Sequence, residues 1–132
     1  MTTQAALSGQ SFGTGANIGN NKFSIAPLTL AGTTTTYVVN VQVTTGAGPV
    51  HADLEVRVWY TTTMRTVTGS DAPVKLGQTA RYVDIRIPKH SSTIAIKDST
   101  LEPVTGSKFH CWVDAPTLQT AATLDIDVVE LP

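Results

Sequence analysis

The chain has a single cysteine, Cys111, in 132 residues, so no internal disulfide can staple it. Small secreted all-β domains often carry such a bridge, and its absence favours a reducing compartment. Charge is scarce as well: Asp, Glu, Lys and Arg make up 14% of the chain, with 9 basic against 10 acidic residues and a net charge of -1. This near balance gives no electrostatic reason to expect a nucleic-acid partner, which is gripped through basic patches against its phosphates. No stretch approaches the ~18 apolar residues of a membrane-crossing helix. Met1–Leu7 has neither a basic n-region nor a continuous apolar run, so it does not read as a secretory signal. The expectation is a protein made in a cytoplasm, with no membrane partner. No segment repeats at a fixed period, which excludes propellers and solenoids.

What the chain does have is β-branched side chains. The 22 Thr, 14 Val and 7 Ile residues account for a third of it. Such stiff side chains suit a pleated sheet and disfavour helices, so helical bundles and α/β nucleotide folds are nearly excluded. The length corresponds to one domain able to build its own core. With so few charges, much of its surface must be covered by hydroxyls.

Residues 1–22 carry Gly9, Gly13, Gly15, Gly19, Asn17, Asn20 and Asn21, with Leu7, Phe12 and Ile18 as the sizeable apolar groups. This composition reads as an extended N-terminal arm with a few apolar anchors. Residues 23–132 read as a single β-sandwich domain. Pro27 marks the first strand as an edge strand or a broken one, because proline cannot donate to a ladder. Tyr37, Val39, Val41 and Val43 share one face, with Asn40 and Gln42 on the other. So do Leu54, Val56, Val58 and Tyr60; then Val83, Ile85 and Ile87; then Phe109, Cys111 and Val113; and finally Leu124, Ile126 and Val128. Shorter strands are expected at Val74–Leu76 and Thr93–Lys97, with Leu101-Glu102-Pro103 as a turn and one helical turn within 117–123. Seven to nine strands with turns about every ten residues indicate an antiparallel β-sandwich of jelly-roll or Greek-key type.

No reactive constellation stands out. The Gly13–Gly19 stretch lacks the glycine spacing, the lysine and the flanking strand and helix of a phosphate loop. His51, His90 and His110 fall in three separate segments, whereas a metal needs convergent ligands. Cys111 has the inward register of a core residue. Asp125 and Asp127 share one strand face and, with Glu130 nearby, could hold a hard cation or act as a paired-carboxylate acid and base. There is no Asp-x-Asp-x-Asp-Gly loop, and a solvated outer face that discourages edge association is the simpler reading. No cofactor or metal is expected. Trp59 and Trp112 occupy the outward register of their strands; either they are exposed and mark a contact surface, or a loop, the N-terminal arm or a second layer covers them.

The Phe12–Gly19 stretch, the Tyr37–Val43 strand, the Arg81–Pro88 strand and the closing Ala121–Val129 strand together resemble the small cement, or decoration, proteins of tailed-bacteriophage capsids, of the jelly-roll type. The resemblance implies binding to the outside of an icosahedral shell across joints between major capsid protein subunits, often as a dimer or trimer. It implies a location on the virion surface and no catalytic residues. Phe12, Ile18, Trp59 and Trp112 are then the expected partner-binding residues. Two other readings stay open. One is a carbohydrate-binding module using Trp59, Trp112 or Tyr82 as stacking platforms. The other is a different virion component, such as a tail or head-completion protein.

Overall fold

Alternation along the chain becomes burial in the folded molecule. Along β4 (Thr36–Thr45), Tyr37, Val39, Val41 and Val43 are each buried while Asn40 is exposed. Along β9 (Ala122–Leu131), Leu124, Ile126 and Val128 are buried in the same way, with Asp125 and Asp127 facing outward. These residues are seen in a computed structural model that describes residues 2–12, 22–24, 26–46, 50, 53–66, 80–116 and 122–132. The remaining strands are β1 (Thr2–Phe12), β2 (Lys22–Ser24), β3 (Leu28–Thr29), β5 (Leu54–Thr63), β6 (Arg81–Ile87), β7 (Ala95–Pro103) and β8 (Lys108–Asp114). There is no helix among the described residues.

Two antiparallel sheets pack face to face. One has the order β1-β9-β4-β7 and the other β2-β8-β5-β6, with β3 also on β8. The pairing is nested: β5 with β6, β4 with β7, β2 and β3 with β8, and β1 with β9. The chain is therefore one long antiparallel ribbon doubled back between β5 and β6, then rolled so that β4 also meets β9 and β5 also meets β8. With β2 and β3 taken as two halves of one strand, this is the strand order of an eight-stranded jelly roll. Those halves flank Pro27 and pair with opposite ends of β8. The strand is thus both broken and at an edge, as the missing N–H requires.

The interior is closed by aromatic contacts between the sheets. The Tyr37 ring meets Tyr60 at 6.3 Å and Phe109 at 5.7 Å, both edge to face, a geometry worth about 0.5–1.5 kcal/mol per pair beyond burial. Cys111 is fully buried, and burial pushes its thiol pKa far up, which leaves it inert.

Three expectations need correction. Residues 2–12, assigned to an arm outside the domain, form β1 and pair along β9 from Thr2↔Glu130 to Phe12↔Ala122. Two register shifts and Gly9, at φ +61°, break the alternation that would have revealed this strand. The sandwich thus begins at Thr2, while residues 13–21 lie outside the described residues. Leu101-Glu102-Pro103 is not a turn but the end of β7, which runs straight from Ala95. Asp98, Thr100 and Glu102 occupy its inner register, so the apolar signal stops while the strand continues. Ala122 and Thr123 belong to β9 and not to a helical turn. Residues 74–76 lie outside the described residues.

Candidate docking surface

The outer face of the β2-β8-β5-β6 sheet carries a row of aromatic side chains set by strand register. Tyr82 on β6 lies opposite Trp59 on β5, and Trp59 lies opposite Trp112 on β8. Tyr82 and Trp59 touch at 4.9 Å between ring centroids. Exposure falls along the row: Tyr82 is 49% exposed, Trp59 half-buried and Trp112 4% exposed.

Arg57 lies two residues before Trp59 on the same strand face. Its guanidinium sits over the Tyr82 ring at 4.0 Å and near the Trp59 ring at 5.4 Å, within cation–π range. Asp84, directly across from Arg57, holds it through two parallel hydrogen bonds, Nε to Oδ1 at 2.8 Å and the terminal nitrogen to Oδ2 at 2.9 Å. That bidentate contact pushes the guanidinium pKa further up. One row further along β6, Arg86 pairs with Asp53 at 2.6 Å. This hydrogen bond, together with one from the Lys89 N–H, holds Asp53 below the usual carboxylate range. Arg57, Trp59 and Tyr82 thus form a fixed patch on a rigid sheet, with the charge already compensated.

The other expected contact residues are placed differently. Phe12 is 4% exposed and belongs to the core, so it is not available to a partner. Trp112 keeps its outward register but is buried, stacked nearly parallel on His110 at 5.7 Å. Ile18 lies outside the described residues. The alternation identified the sheet face of Trp112 but not whether that face is open. The contributions of Arg57 and Asp84 were missed because they depend on the β5–β6 register. The available signal was their outward placement two positions from Trp59 and Tyr82.

Glu130 does not join Asp125 and Asp127. It sits in the inner register, 3% exposed, and accepts hydrogen bonds from the Ala31 N–H at 2.7 Å, Gln4 Nε2 at 3.0 Å and Thr34 Oγ1 at 3.1 Å. Burial raises its pKa, but these three donors outweigh burial and lower it. Asp125 accepts the Gly9 N–H at 2.7 Å. Both aspartates line a groove on the outer face of the other sheet, with Asn40, Gln42, Lys97 and Ser99. Among the described residues, no three His, Cys, Asp or Glu side chains converge. His51 lies outside the described residues. His90 is tied to Thr45 and to the Pro88 carbonyl. His110 is bonded to Thr63 Oγ1 at 2.8 Å, and burial lowers its pKa.

Comparison with family models, curated proteins and solved structures finds no match to this chain.

Proposed function

We propose that the chain is a structural virion protein that binds the outside of an icosahedral phage capsid and cements joints between major capsid protein subunits. The observation that carries this reading is the Arg57–Trp59–Tyr82 patch on the outer face of one sheet. Trp, Tyr and Arg are the residue types that dominate binding energy at protein interfaces. The bidentate Asp84 contact orders Arg57 in advance, which reduces the entropy lost on docking. A protein that binds the assembled shell and not its separate subunits stabilises the shell by linkage. Many symmetric copies multiply a modest contribution from each. A surface rich in hydroxyls and poor in charge suits a wet, polar interface. In this reading the chain is made in the host cytoplasm, works on the virion surface as a dimer or trimer, and uses no cofactor.

The test is sedimentation with icosahedral shells assembled from purified phage major capsid protein. The wild-type chain should pellet with shells and stay in the supernatant without them. Tyr82→Ala and Arg57→Ala should each weaken binding about tenfold or more with little change in melting temperature. Failure to pellet, or full occupancy by both variants, would overturn the reading.

A carbohydrate-binding module is the second reading, favoured by the half-exposed Tyr82 ring. Sugar stacking needs a bare aromatic face, and Arg57 already lies over Tyr82. Glycan-array binding that disappears in Tyr82→Ala would reverse the preference.

A further inference from the structure

The β1-β9-β4-β7 sheet ends at β7, and no described strand lies hydrogen-bonded along its outer side. Register fixes which backbone groups that open edge offers. The β4–β7 ladder runs from Thr36↔Pro103 to Thr44↔Ala95 without a bulge. At its two ends the Val104 N–H bonds the Thr35 carbonyl at 3.0 Å, and the Thr45 N–H bonds the Ile94 carbonyl at 2.9 Å. Bonded residues alternate along an antiparallel pair, so the even-numbered residues of β7 direct their backbone groups to β4. The N–H and C=O groups of Ala95, Lys97, Ser99 and Leu101 therefore face outward. All four residues are exposed, Leu101 to 64%.

A straight unpaired edge is a template for another strand. Two features restrain this one. Pro103 has no N–H and ends the row of donors. The Asp98 carboxylate accepts the Ser99 N–H at 2.8 Å and so occupies the central donor.

We propose that β7 pairs with β7 of a second copy of this chain, antiparallel across a two-fold axis at Ser99, once Asp98 releases the Ser99 N–H. Charge, the missing N–H of Pro103 and overlap length together select the register: centring on Leu101 sets Ser99 against Pro103, which has no N–H to donate, and centring on Ile96 leaves most of β7 beyond the pairing. A ladder centred on Lys97 sets ammonium against ammonium, and one centred on Asp98 sets carboxylate against carboxylate. One centred on Thr100 opposes Asp98 to Glu102. Centred on Ser99, Lys97 meets Leu101, Asp98 meets Thr100 and Ile96 meets Glu102, so no like charges are opposed. In that register Leu101 lies against the methylene stem of Lys97 of the second copy. The pairing does not depend on the shell reading. A strand edge with so little apolar area gives a weak dimer in solution, and any array of many copies would strengthen it through local concentration.

Cross-linking of the full chain, combined with sedimentation over a concentration series, tests the pairing. Directly opposed residues place their Cβ atoms about 4.5–5.5 Å apart, close enough for a disulfide after a small adjustment. The native Cys111 is buried and does not compete. Ser99→Cys should form an interchain disulfide under mild oxidation, and Asp98→Cys should not. Asp98→Ala should move dimerisation to about tenfold lower concentration, as expected for losing a charge-assisted competitor. Ser99→Pro should stay monomeric with its β-sheet circular dichroism intact, because the lost N–H points away from β4. No cross-link through Ser99→Cys, an equal cross-link through Asp98→Cys, or an unchanged concentration profile in Asp98→Ala would overturn the proposal.

Discussion

Gly106 occupies a position where even a methyl group has no room. A Cβ there would fall on the Thr63 backbone, because the turn between β7 and β8 presses against the end of β5. The approach is fixed on either side of the glycine: Thr105 Oγ1 bonds the Thr62 carbonyl at 2.6 Å, and the Leu30 N–H bonds the Ser107 carbonyl at 2.7 Å. Gly106→Ala should therefore destabilise the fold by roughly 1–3 kcal/mol or more, as overpacking does, read as a lower denaturation midpoint. Two further residues set the response to acid. His110 is neutral in the fold and has a pKa below its ordinary 6.5 because it is buried. Its contribution is complete above that pH and is lost as pH falls below it, when the unfolded chain takes up the proton first. Glu130 has a pKa below its ordinary 4.5, with three hydrogen bonds outweighing burial. Its contribution is complete above 4.5 and is lost on further acidification. Melting temperature should thus decline in two stages below neutrality. His110→Phe should remove the upper stage and Glu130→Gln the lower, and a profile unchanged by both would contradict these assignments.

Among the elements, β1 shows most clearly how a strand can hide in a sequence. Its partner is the backbone of β9, and it needs few apolar groups: Ala6 and Leu7 pack against the core and Phe12 enters it. Bulges then remove the period-two signal. Deleting residues 1–12 should not be silent, as removal of a loose arm would be. It strips β9 of a ladder and empties the Phe12 site, which alone is worth about 3–5 kcal/mol. A clear fall in melting temperature together with increased light scattering is the expected result. Strands β4, β5, β6 and β9 were legible because each buries one face against the opposite sheet. The end of β7 was not, because Asp98 and Glu102 stand where apolar residues would mark the inner face. The docking surface was half legible for a related reason. Trp59 and Trp112 have the same register on paper, but only the tertiary fold leaves one partly open and the other buried.

For the whole molecule, hydrophobic alternation reported that two one-sided sheets exist but not which strands pair. That information lies in contacts between distant segments, such as Tyr60 Oη donating to Glu102 at 2.9 Å across 42 positions of sequence. The nested ribbon has a mechanical consequence. Thr2 and Glu130 are neighbours, so tension applied to the two ends of the chain acts across the β1–β9 seam at one corner. The bonds there would part in succession, like a zipper, and would not have to shear together. A small pull on its two tails would therefore open the sandwich from that corner.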